Sequence, residues 1–174
     1  LEKMGVRNML KYASTLGFNT DEFAPDLSLA LGTHAMTPIE IARAYALLAN
    51  GGFLIEPYII ERIESATGEV LFEANPAQAC DPCKTDAEVS MAAVPSGNIQ
   101  IPQAPRVMNE RIHFILDSML KDVVKLGTGR AALTLKRNDL AGKTGTTNGP
   151  RDAWFSGYNP NIVTTTWVGF DDFS

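Results

Sequence analysis

Apolar positions recur at helical spacing in three stretches, and shorter β-branched runs gather toward the C-terminus. Leu1, Gly5, Met9, Tyr12 and Leu16 fall on one face, which predicts a helix over 1–16 with Gly17 as its C-terminal cap. Phe18 to Leu31, with Pro25, reads as a connection. Thr37-Pro38-Ile39-Glu40 is a capping box with proline at the first helical position, so a second helix runs to about Asn50, where Gly51-Gly52 ends it. Its small residues Ala42, Ala46 and Ala49 suit close packing in a core. Pro57–Glu64 and Glu69–Glu73 predict a hairpin turning at Thr67-Gly68. Asn109 caps a third helix to about Lys125, with Ile112, Ile115, Leu116, Met119, Leu120 and Val123 as its apolar face. Lys121 and Lys125 lie near its negative end, and Gly127 stops it. Strands follow at about 139–147, 152–158 and 162–170, and Asn159-Pro160-Asn161 turns the last two into an antiparallel hairpin. Trp154, Phe155, Tyr158, Trp167 and Phe170 read as core or sheet-face packing.

Between the second and third helices the pattern breaks down. Pro76, Pro82, Pro95, Pro102 and Pro105 punctuate residues 74–105, so a poorly ordered surface excursion over about 74–107 is expected within one domain spanning 1–174. It contains Cys80-Asp81-Pro82-Cys83. Zinc would need about four ligands, and the histidines, His34 and His113, are remote in sequence. A loop-like lead-in at Asn75–Ala79 also argues against a helix-opening redox pair. The readings rank as a local disulfide in an oxidising compartment, then two free thiols, then a redox pair.

Composition adds exclusions. The 174 residues suffice for one domain with its own core, and 45% hydrophobic with 20% charged is an ordinary globular balance. A net charge of −5 with no basic stripe argues against a nucleic-acid binder. No run reaches the roughly 18 apolar residues of a membrane helix, and no stretch of these residues reads as a signal peptide. A first residue of Leu1, on a helical face without a cap, leads us to expect a fragment.

The chemistry concentrates in Ala141-Gly142-Lys143-Thr144-Gly145-Thr146-Thr147, which ends at the turn signal Asn148-Gly149-Pro150. Three threonines favour a strand. Glycines kept inside one suggest that something approaches its backbone closely. One cation, exposed backbone N–H groups and short hydroxyl donors suit an anionic, acyl-bearing ligand lying beside the strand. A Gly-rich strand end with a surface lysine is the plain alternative.

Lys143-Thr144-Gly145-Thr146 resembles the Lys-Thr-Gly motif of serine penicillin-recognising enzymes. Residues 151–158, 162–170, Gly127-Thr128-Gly129-Arg130 and the stretch from Ala44 to Gly52 are similar to class A, bifunctional penicillin-binding proteins. The resemblance implies an α+β fold, an antiparallel sheet packed with helices of the serine β-lactamase/penicillin-binding-protein-like transpeptidase kind, incomplete at both ends. It implies a D,D-transpeptidase that crosslinks peptidoglycan stem peptides through a serine acyl-enzyme, is acylated by β-lactam antibiotics and uses no cofactor. Further implied are a glycosyltransferase domain and membrane anchor in the parent, a place on the periplasmic side of the bacterial inner membrane, and cell-wall synthesis proteins as partners. Onto this chain the resemblance carries the Thr146 N–H as one oxyanion donor and the Thr144 and Thr146 hydroxyls as carboxylate holders. The Lys143 ammonium would supply positive field and touch the middle-motif serine, and Gly145 room for the substrate. Thr128 and Arg130 border the site with no chemistry assigned.

The family's other motifs have only decoys here. Ser118-Met119-Leu120-Lys121 and Ser96-Gly97-Asn98 match the letters of Ser-x-x-Lys and Ser-x-Asn, but in reversed order. Two fixed positions also arise often by chance. The nucleophilic serine and its lysine are therefore expected before Leu1, and the family's last helix after Ser174. Alternatives are an inert binding or structural module of the same fold, and a serine β-lactamase relative. The lysine kept with both hydroxyls favours an enzyme.

Overall fold

The computed structural model describes residues 1–79, 101–147 and 151–170. Three helices, α1 (Val6–Thr15), α2 (Pro38–Ala49) and α3 (Glu110–Lys125), combine with five strands. Strands β1 (Arg62–Glu64) and β2 (Val70–Glu73) form an antiparallel hairpin, and β3 (Ala141–Thr146), β4 (Asp152–Tyr158) and β5 (Val163–Gly169) form an antiparallel meander in the order β3-β4-β5. The architecture is α+β, as expected.

Helix starts follow local chemistry. The Thr37 hydroxyl accepts the Glu40 N–H at 3.4 Å, and the Glu40 carboxylate accepts the Thr37 N–H at 2.8 Å. The Thr37 side-chain and backbone donors hold the Glu40 carboxyl below the ordinary carboxylate range. At α3 the Asn109 side chain accepts from the Arg111 N–H at 2.9 Å. Helix α1 starts later than its periodicity predicts. Gly5 has φ +83°, a left-handed conformation that no helical residue holds, so the helix opens only after it. Ala13 is buried on its packed face, while Tyr12 is exposed. The connection between α1 and α2 carries 3-10 turns at Thr20–Glu22 and Leu27–Leu31, and a further one follows α3 at Arg130–Leu135.

The described flanks of the proline-rich stretch are held by backbone hydrogen bonds. Gln78 N–H donates to Pro102 O and Ala104 N–H to Gln78 O, both at 2.8 Å, so the flanks pair with each other. Leu54 N–H then donates to Pro105 O, and Val107 N–H to Gly52 O, both at 2.9 Å. Ala104 and Met108 are buried. Ala104 and Met108 therefore join the core, stitched there by non-local hydrogen bonds that composition does not reveal. Cys80, Cys83 and the Ser96-Gly97-Asn98 decoy lie outside the described residues.

The core sits between the helices and the inward face of the meander. Leu47, Met108, Val124, Ala141 and Tyr158 are buried there. Tyr45 from α2 meets Tyr158 edge-on at 6.3 Å. Tyr158 donates its hydroxyl to Asp117 of α3 at 3.0 Å, and Lys121 pairs with the same carboxylate at 2.6 Å. His113 Nε2 lies 2.6 Å from the Leu48 carbonyl and ties α3 to α2. Arg43 binds the Gly17 carbonyl at 2.9 Å and pairs with Glu56, joining α2 to its flanking loops.

The apolar face expected for α3 needs correction. Ile112, Ile115 and Met119 are exposed, and Val124 is the buried residue. Leu116, Leu120 and Val123 are half-buried beside Val124, so the packed arc is narrower than the apolar one. Phe170 is likewise exposed, while Trp154 and Trp167 pair across β4 and β5 at 6.1 Å.

Two stability predictions follow from this packing. Burial and the adjoining Asp117 raise the Tyr158 phenol well above its ordinary value. Its contribution to stability is therefore complete below about pH 10, the unfolded phenol's range, and is lost as pH rises toward the folded value. Tyr158→Phe should cost about 1.5 kcal/mol at neutral pH, and denaturant titrations should show a shallower alkaline decline than wild type. Gly52 has φ +100°, and an added Cβ would lie 2.8 Å from Met108 O. Gly52→Ala should lower stability by about 2 kcal/mol or more, read as a shifted denaturant midpoint at constant slope.

Candidate active site

The candidate residues Lys143, Thr144, Gly145 and Thr146 all lie on β3. Its register with β4 pairs Lys143 with Ser156, Thr144 with Phe155, Gly145 with Trp154 and Thr146 with Ala153. Side chains alternate across a strand. Ala141, Lys143 and Gly145 thus share the face of Ser156 and Tyr158, and Gly142, Thr144 and Thr146 share the face of Phe155. Ser156 is buried, with its hydroxyl 3.2 Å from that of Thr165.

The glycines have causes inside the sheet. A Cβ on Gly142 would lie 2.7 Å from Ser156 O and 3.1 Å from the Phe155 ring. The close approach inferred from the sequence is, at Gly142, that of the neighbouring strand. On Gly145 a Cβ would press on Trp154 Cβ at 3.2 Å.

Among the described residues, β3 is an edge strand of the meander. Thr147 N–H donates to Asp152 O at 3.1 Å, and Asp152 N–H to the Thr147 hydroxyl at 2.9 Å. Antiparallel pairing alternates inward- and outward-directed backbone groups. The N–H and C=O of Thr146 and Thr144 are therefore directed away from β4, along the open edge. The Lys143 ammonium confirms this direction, since it donates to the Thr144 carbonyl at 2.6 Å. Lys143 and Thr146 are exposed and Thr144 half-buried. A cation, two hydroxyls and an outward N–H thus occupy one stretch of edge. Fixed donors of this kind match an anionic group and an oxygen that gains negative charge.

Two further elements frame the edge. The hydroxyls of Thr128 and Thr144 lie 2.6 Å apart, so the loop after α3 touches the strand. The sequence names Thr128 as a neighbour of the site, but its contact spans 16 positions and leaves no local signal. Arg130 opens a 3-10 turn and is exposed. Asp152 accepts the Trp167 indole N–H at 2.9 Å and so braces the far end of the β3–β4 hairpin against β5. On the approach to β3, Arg137 grips Asp139 at 2.9 and 2.6 Å and holds that carboxyl below its ordinary range.

Ser118 is exposed in the middle of α3, and Lys121 is committed to Asp117 at 2.6 Å. A lysine held in an ion pair is a poor base for a neighbouring hydroxyl.

Comparison with known proteins identifies the family. The chain is 45% identical to penicillin-binding protein 1A of Pseudomonas aeruginosa over 98% of its length, and 36% identical to penicillin-binding protein 1A of Escherichia coli over 99%. It spans only about a quarter of these relatives, 24% and 25% of their respective lengths. Among solved structures it superimposes on penicillin-binding protein 1A from Haemophilus influenzae with a TM-score of 0.80 and 40% identity, covering 98% of this chain and 27% of that one. The PonA1 protein of Mycobacterium tuberculosis, solved in complex with penicillin V, matches with a TM-score of 0.55 and 25% identity, over 87% of this chain and 34% of that one. The penicillin binding protein transpeptidase domain matches residues 2–170, and with that match over nearly its whole length the chain belongs to this transpeptidase-domain family.

Proposed function

We propose that this chain forms the β3-edge half of the acyl-transfer pocket of a peptidoglycan D,D-transpeptidase, within a class A, bifunctional parent anchored at the bacterial inner membrane and acting in the periplasm. The observation that carries the reading is the open edge of β3. It groups the Lys143 ammonium, the Thr144 and Thr146 hydroxyls and an outward Thr146 N–H within one tetrapeptide. A terminal D-alanyl-D-alanine unit brings a carboxylate and a carbonyl to such an edge. The hydroxyls donate to the carboxylate, and Lys143 adds positive field beside it. The Thr146 N–H donates to the carbonyl oxygen as it gains negative charge. A serine from outside this chain attacks the carbonyl carbon, the amide C–N bond breaks, and the terminal D-alanine leaves with the proton. An amine of a second stem peptide then displaces the serine ester and forms the crosslink. A β-lactam presents a similar carboxylate and a strained amide, so it acylates the same serine. Stem peptides and β-lactams are thus the ligands, with cell-wall synthesis proteins as partners of the whole.

Two measurements test this. In the full-length protein, Lys143→Ala should lower the second-order rate of acylation by a labelled penicillin about a hundredfold, with stability changed by less than about 0.5 kcal/mol. Acylation at the parental rate would remove Lys143 from the site. The chain alone, incubated with the same penicillin, should show no covalent adduct by intact mass, and an adduct on Ser118 would overturn its dismissal.

A further inference from the structure

We propose that Thr128 is a positioning residue that sets the direction of the Thr144 hydroxyl and thereby the site's preference for a ligand carboxylate. The inference deepens the acyl-transfer reading and rests on it. The two hydroxyl oxygens are 2.6 Å apart, close enough that one donates to the other. Each hydroxyl has one proton to give. A carboxylate can only accept, so Thr144 can hold it only by spending its own proton on it. The Thr144 oxygen must then accept from Thr128. The order is fixed: the Thr128 O–H donates to Thr144 Oγ, and the Thr144 O–H donates to the carboxylate. Hydrogen bonds in such a chain polarise one another, so the second is strengthened by the first. The reverse order would leave Thr144 with no proton for the ligand.

The loop is built to hold Thr128 in place. Gly127 N–H reaches the carbonyls of Asp122 and Val123, both at 3.1 Å, and Gly129 N–H reaches Val123 O at 3.0 Å. A Cβ at Gly127 would lie 3.0 Å from Val123 Cα and O, and one at Gly129 would lie 3.2 Å from Val123 O. Both flanking residues therefore fold tightly onto the last turn of α3, beneath which Val124 is 1% exposed. Thr128 stands between them with its hydroxyl on β3.

The test uses the full-length protein, a penicillin and the methyl ester of the same penicillin, with second-order acylation rates measured for each. Thr128→Val keeps the shape and deletes the donor. It should slow acylation by the free acid about tenfold, the factor that 1.4 kcal/mol represents, and leave the rate with the ester within about twofold. The acid-to-ester ratio then falls about tenfold. Thr128→Ser, which restores the hydroxyl, should restore the ratio. Equal slowing with acid and ester would mean that Thr128 only shapes the loop, and an unchanged ratio or a failed serine rescue would equally overturn the proposal. Lys143→Ala measured alongside separates the levels. Unaltered acylation there overturns the acyl-transfer reading and this inference with it, whereas a large loss there with an unchanged Thr128→Val ratio overturns only the role of Thr128.

Discussion

The carboxylate of Asp117 joins helix and sheet at one point. It accepts the Tyr158 hydroxyl from β4 at 3.0 Å and the Lys121 ammonium from its own helix at 2.6 Å. A carboxylate drawn partly out of water needs such partners, because desolvation without them is costly. Since one partner comes from the sheet, α3 cannot turn or slide without breaking the contact. The His113 ring against the Leu48 carbonyl fixes the same helix to α2. The loop of Thr128 leaves the end of this helix and is therefore positioned with it.

The meander supplies the other half of the constraint. Gly142 and Gly145 permit β4 to approach β3 within distances that a Cβ would forbid. Asp152 closes the hairpin through Thr147 and reaches β5 through Trp167. With one edge of β3 committed so fully, its alternate backbone groups are aimed along the other. The donor set of the site is a by-product of good antiparallel pairing, and the side chains of Lys143 and Thr144 add charge and direction to it.

Features written in local chemistry were legible in the sequence. Thr37 and Glu40 cap α2, Asn109 caps α3, and Thr67-Gly68 and Asn159-Pro160-Asn161 turn the hairpins, as their residue types require. Long-range pairing was not legible. Pro105 and Val107 pair with Leu54 and Gly52, partners some fifty positions away that no window of sequence connects. The packed arc of α3 is narrower than its apolar arc: Leu116, Leu120 and Val123 are half-buried while Ile112, Ile115 and Met119 are exposed, and composition alone does not separate the two sets. The start of α1 was misplaced because Gly5 fits the helical period but holds a positive φ. For the candidate site, the Lys-Thr-Gly resemblance proposes the residues, whereas the direction of the Thr144 and Thr146 backbone groups is given only by the register. The meeting of Thr128 with Thr144 required the tertiary fold.

The amides of Gly127 and Gly129 are spent on the carbonyls of Asp122 and Val123, and the side chain between them leans on the strand. Occupation of the strand's edge and the tightness of that helix end are thus mechanically linked. Solvent hydrogen exchange at these two amides, remote in sequence from the tetrapeptide, would slow when the edge is filled and so report on the pocket without a label in it.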